Sequence, residues 1–114
     1  MNELRDAVFR DIVTSIQVWT ETGLSEVARK DQVPWWEANQ DSWQDFASAI
    51  DSPERREQFE RLVQHLLRGL AHSVLATIDG ASASAEVGRV HLTGPDGRSL
   101  GEGLHEQFEG FLEP

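Results

Sequence analysis

The longest amphipathic pattern in this chain runs from Ser52 to Gly80, SPERREQFERLVQHLLRGLAHSVLATIDG, and it limits the folds available to everything else. At about 100° per residue, Phe59, Leu62, Val63, Leu66, Leu67, Leu70, Val74 and Ile78 fall on one side of a helix. Arg61, His65, Arg68 and His72 fall near the other. Ser52 suits the N-cap, Pro53 the first helical position, and Asp79-Gly80 a stop. A helix of this length spans roughly 40 Å, at about 1.5 Å per residue. The remaining apolar segments are then expected to pack on it, with Leu66 and Leu67 near the centre of the core. Only Ser73–Ile78 is ambiguous, because Val74, Ala76 and Ile78 also alternate as they would in a strand.

Before this stretch the pattern is helical. Leu4, Val8, Ile12, Ile16 and Trp19 form a stripe at four-residue spacing, with Thr22-Gly23 as the expected end. Ser25 would cap a short helix over Glu26–Lys30, closed by Val33-Pro34. From Trp35 to Ile50, residues Trp35, Trp36, Trp43, Phe46, Ala47 and Ile50 cluster on one face, and Glu37, Gln40, Asp41, Gln44, Asp45 and Ser48 oppose them. Asp51-Ser52 leaves almost no linker to the long helix, which makes the two helices antiparallel neighbours.

After Gly80 the chain changes character. GASAS is loop-like. Val87, Arg89 and His91 alternate with Gly88, Val90 and Leu92, Gly94-Pro95-Asp96-Gly97 is a turn signal, and Arg98-Ser99-Leu100 would return as a second strand. Leu104, Phe108, Phe111 and Leu112 then define a short terminal helix. The expected fold is therefore a predominantly helical α+β domain over residues 1–114. It has about four helices around one long central helix, a C-terminal β-hairpin and a short terminal helix.

Composition narrows the function. The 114 residues carry a net charge of −10, which opposes direct binding to nucleic acid or to an anionic membrane. No cysteine is present, so thiol catalysis, thiolate metal sites and disulfides are excluded. No apolar run reaches the length of a membrane span, and the charged start MNELRDAVFRD is unlike a signal peptide, so the expected location is the cytoplasm. Lys30 is the one lysine among ten basic residues, a usage typical of G+C-rich bacterial coding sequence.

Catalytic motifs are missing: there is no Walker loop, GxGxxG after a strand, GxSxG elbow or EF-hand. His65 and His72 lie two turns apart, too far to share one metal ion. His72, His91 and His105 could meet only if the hairpin folds back. The sequence thus predicts neither a cofactor nor a metal and names no catalytic residue, and the balance is against an enzyme. Two features favour a protein-binding surface. Trp35 and Trp36 are adjacent, so one must reach the margin of the core, and exposed tryptophan is enriched in interfaces. From Asp31 to Glu54 there are six acidic residues and no basic one, and Glu37, Asp41 and Asp45 repeat at four-residue spacing. The reading that follows is a small acidic bacterial protein-binding module of inhibitor, immunity or adaptor type. Its partner surface comprises Trp35, Trp36, Glu37, Asp41 and Asp45, and its partner is another protein, basic in character. The alternatives are a small enzyme or ligand-binding protein using the histidines, and a structural subunit that forms a homodimer or larger homo-oligomer.

Overall fold

The structure, a computed structural model, describes residues 3–29, 32–34, 37–81 and 83–112. Its elements are α1 (Glu3–Ala28), α2 (Gln40–Ala49), α3 (Pro53–Ile78), a 3₁₀ turn (Ala83–Glu86) and α4 (Leu104–Leu112). The chain divides into two compact units, one of Met1–Thr14 with Leu67–Pro114, the other of Ser15–Leu66.

The long helix lies where its sequence places it. Ser52 Oγ accepts the Arg55 N–H at 3.1 Å, and Pro53 opens α3. At the other end the Ala81 N–H reaches the Ala76 carbonyl and the Gly80 N–H the Thr77 carbonyl, the paired bonds of a Schellman ending. Gly80 takes φ +80, which a residue with a Cβ rarely adopts. Residues 73–78 are helix, so the alternation there does not produce a strand.

The β-hairpin is not formed. Among the described residues there is no strand or sheet, only an isolated bridge between Thr93 and Ser99, and the fold is all-α rather than α+β. The turn itself is present: the Gly97 N–H bonds the Gly94 carbonyl at 2.9 Å, and Asp96 Oδ1 accepts the Arg98 N–H. Pairing ends one bond past the bridge, where the Leu100 N–H reaches the Leu92 carbonyl at 2.9 Å. Val87 is 96% exposed and residues 88–91 are exposed too, so the stretch before Leu92 has no covered face on which a longer strand could pack. On the return side Gly101 (φ +123) and Gly103 (φ +66) divert the chain into α4 after three residues. A two-stranded ribbon without a packed face does not hold itself in water.

Two helix boundaries also differ from the sequence reading. α1 runs through Gly23 to Ala28 and absorbs most of the expected short helix. An interior glycine costs about 1 kcal/mol relative to alanine, but Thr20 before it and Val27 after it are both buried, and continuing the helix keeps both inside. α2 begins at Gln40 rather than near Trp35. Asn39 is its N-cap, with Oδ1 accepting the Ser42 N–H at 2.9 Å, while Glu37 Oε1 accepts the Asn39 N–H.

In the unit containing α4, Leu104 and Phe108 are buried together with Leu75, Leu100 and Phe9. The Phe9 ring meets Phe108 edge-on at 5.3 Å and Phe111 at 5.7 Å. The Arg5 guanidinium lies 5.9 Å from the Phe9 ring centre and donates to Gln107 Oε1 at 2.7 Å. In the unit of Ser15–Leu66, Val27 and Ala47 are buried, and Phe46 stacks edge-on against Phe59 at 5.8 Å.

The face of α3 that is buried differs from the one the apolar spacing suggests. Leu62, Leu66, Leu70 and Val74 are 53%, 60%, 61% and 50% exposed, while Leu75 is buried. The cause in the second half of the helix is α4. Glu109 lies 3.7 Å from the Arg68 guanidinium and 3.3 Å from His72 Nδ1, so α4 covers the side of α3 that reads as solvated. The buried direction shifts toward Leu75, and the leucine row is left outside.

Candidate functional site

α4 has no residue of its own to cap it. Gly103 precedes Leu104, and the acceptor comes instead from Asp79, at the end of α3. Asp79 Oδ1 accepts the Leu104 N–H at 2.9 Å, and Oδ2 accepts the His105 N–H at 2.8 Å. The same carboxylate bonds His105 Nδ1, which fixes the imidazole with its proton on Nδ1 while Asp79 is ionised. Its side chain is only 7% exposed. Burial alone would push the Asp79 carboxyl up. The His105 ring and the His105 and Leu104 N–H groups outweigh that, and hold the carboxyl below its ordinary value.

His72 packs edge-on against His105 with ring centres 5.2 Å apart, and its Nδ1 faces Glu109. Two imidazoles thus lie side by side, each with Nδ1 against a carboxylate. Such pairing orients catalytic and metal-binding histidines alike. Here, however, the Asp79–His105 pair also holds the first turn of α4. His105 Nε2 has Glu106 Oε1 at 3.8 Å. Among the described residues no group of three or more His, Asp or Glu is placed to hold a metal ion. His91 and His65 are exposed and join no part of the cluster. A cleft of about 820 Å³ between the start of α1 and the Gly94–Gly101 turn is lined by Leu4, Arg5, Asp96 and Arg98 among others, and by no histidine.

The residues expected to form a partner surface divide into three groups. Trp35 and Trp36 lie outside the described residues. Glu37 is half-buried and engaged with the Asn39 N–H. Asp41 and Asp45 are exposed on α2, one helical turn apart, so two members of the acidic row face solvent together.

The same unit carries an apolar surface the sequence assigned to the core. It is organised around Phe59, the ring that Phe46 meets and whose Cε2 lies 3.7 Å from where a Cβ on Gly23 would be. Leu62 and Leu66 share the Phe59 side of α3 at spacings of three and seven, and Trp19 precedes Gly23 by one turn of α1. Trp19, Phe46, Leu62 and Leu66 are 46–60% exposed. Their spacing sets them on one apolar arc, but nothing in a single sequence shows which part of a wide arc will be covered, and the expected burial of Leu66 does not occur. Trp43, next to Phe46 at 5.9 Å, buries its indole N–H without a hydrogen-bond partner.

The cap role of Asp79 was also missed, although it left a trace: a terminal helix introduced by Gly-Glu-Gly has no Ser, Thr, Asp or Asn at its start, so its first N–H groups must find an acceptor elsewhere. No helix among the described residues is long and apolar enough to cross a membrane. Comparison with protein-family models, with curated proteins and with solved structures finds no match.

Proposed function

We propose that this chain is a protein-binding module of adaptor, inhibitor or immunity type, working through the apolar surface of the Ser15–Leu66 unit. The observation that carries the reading is the gathering of Trp19, Phe46, Leu62 and Leu66 around Phe59, all large, all apolar and all about half exposed. Apolar side chains scattered singly on a surface need no explanation, but a cluster drawn from three helices does. Aromatic side chains are enriched at the centres of interfaces, where burial excludes water from both partners.

The second reading, a small ligand-binding protein or enzyme, rests on the juxtaposed imidazoles of His72 and His105. It ranks lower because the pair is anchored through the cap of α4, and moving a proton or ligand there would disturb the helix it holds.

A photoreactive side chain introduced at Leu66, with one at exposed Glu86 as control, tests the module reading in the native cell. A discrete protein adduct is expected from position 66 alone, and it should vanish when Leu62→Asp is added. Equal adducts from both positions, or none from position 66, would defeat the proposal.

A further inference from the structure

We propose that His72 and His105, with Glu106, form a site for one divalent transition-metal ion of the zinc class, tying α3 to α4. The inference is independent of the protein-binding reading, which concerns the Ser15–Leu66 unit.

Both imidazoles already have the outer partners that metal-bound histidines take. A ligating ring gives its second nitrogen to a carboxylate or carbonyl, which fixes the tautomer and aims the first nitrogen. His105 Nδ1 meets the Asp79 carboxylate, and His72 Nδ1 faces Glu109 at 3.3 Å. With the proton on Nδ1, the lone pair of each ring stands on Nε2.

The His105 lone pair faces a second acceptor. Its Nε2 has Glu106 Oε1 at 3.8 Å, and neither a neutral Nε2 nor an ionised carboxylate can donate to the other. A cation between them satisfies both. Two ligand atoms on one tetrahedral zinc, each about 2.0–2.1 Å from it, stand roughly 3.3 Å apart. A small swing of the exposed Glu106 side chain closes that gap.

His72 supplies the third ligand. Its ring centre lies 5.2 Å from that of His105. Two imidazoles on one tetrahedral ion hold their centres about this far apart, since each centre is about 3.2 Å from the metal. The side chain is partly exposed and has room to turn its Nε2 inward. Among the described residues no group of three stands ready assembled, so the site closes on the ion, with water in the fourth place.

The charge around the rings suits a cation. Three carboxylates, Asp79, Glu106 and Glu109, face them, and Arg68 meets Glu109 at 3.7 Å. Imidazole ligands select zinc, nickel or copper over magnesium, which takes oxygen ligands. Asp79 engages only Nδ1 and backbone N–H groups, so an ion on Nε2 leaves the cap of α4 in place.

The test uses the full chain without a histidine tag, stripped with chelator and titrated with zinc chloride. Calorimetry should show one ion per chain with a Kd of about 100 μM or tighter. Saturating zinc should raise the melting temperature, and magnesium should do neither. His72→Ala leaves the Asp79 cap untouched and should weaken zinc about tenfold or more. Glu106→Gln, at an exposed position, should weaken it severalfold. His65→Ala and His91→Ala, exposed and outside the cluster, should bind as the parent does. Nitrogen-15 NMR should show Nε2 of both His72 and His105 shifting as zinc is added. Zinc binding no tighter than about 1 mM would overturn the site. Equal affinity in the parent chain and His72→Ala would overturn it too, by placing the ion elsewhere on the acidic surface.

Discussion

Asp79 bonds His105 twice, once through the backbone N–H and once through the imidazole Nδ1, and so makes the end of one helix the cap of another. The two residues are 26 positions apart in sequence, yet the carboxylate is placed as a local N-cap would be.

Removing that carboxylate should be costly. Asp79→Ala leaves the Leu104 and His105 N–H groups without acceptors in a partly buried place, and should lower unfolding free energy by about 1–3 kcal/mol. Asp79→Asn keeps one acceptor oxygen and should lose less. Urea denaturation of the two variants beside the parent chain gives the order directly.

The same residue sets an acid limit on stability. Its carboxyl is held below the ordinary value in the folded chain, so folding favours the ionised form. That contribution is complete above the unfolded-chain value of about 3.9 and is lost as pH falls through the lower folded value. Urea midpoints measured from pH 5 downward should therefore fall most steeply below about pH 4. Asp79→Asn should be less stable at pH 5 and should flatten that part of the curve.

Exposure along α3 predicts an unusual order among leucines. Leu75→Ala removes a buried side chain and should cost about 2–5 kcal/mol. Leu66→Ala, at a position 60% exposed, should stay within about 0.5 kcal/mol. If thermal or urea melts give the reverse order, α3 is turned about its axis relative to this description.

Gly80→Ala tests the end of α3. The φ of +80 costs a residue with a Cβ about 1–2 kcal/mol. The new Cβ would also lie 2.5 Å from Arg89 Nε, and the flexible side chain would have to move off the Asp79 carbonyl it bonds at 2.6 Å. Gly69→Ala is the contrasting case: it lies inside α3 with nothing within 4 Å of its Cβ position and should stabilise the chain.

What the sequence disclosed and what it withheld follow from the range of the forces involved. Local signals spoke clearly: Ser52 and Pro53 start α3, Gly80 ends it, and Gly94-Pro95-Asp96-Gly97 turns. Non-local choices were silent. Alternation at 87–92 resembles a strand whether or not a partner exists, and there the expected hairpin reduces to one bridge. The leucine row of α3 is apolar on paper, but α4, some forty residues downstream, lies on the opposite side, where Glu109 meets Arg68 and His72. At the expected partner surface the acidic pair Asp41 and Asp45 is exposed, Glu37 is occupied by Asn39, and the apolar cluster of the same unit became visible only once Phe59 had neighbours.

The borrowed cap has a further consequence for chain connectivity. α4 has nine residues, fewer than the roughly 12–15 at which isolated helices become even marginal in water. Its start is set by Asp79 and its buried face meets Phe9, so the exposed stretch around Val87 serves mainly as a tether. Loop-closure entropy grows only logarithmically, about 0.6 kcal/mol for each doubling of length. A flexible insert beside Val87, where the backbone carries the most exposed side chain of those described as exposed and apolar, should therefore leave α4 docked. The stretch that comes nearest to a strand in its pattern is the place where the chain can be lengthened, or a reporter inserted, at least cost to the fold.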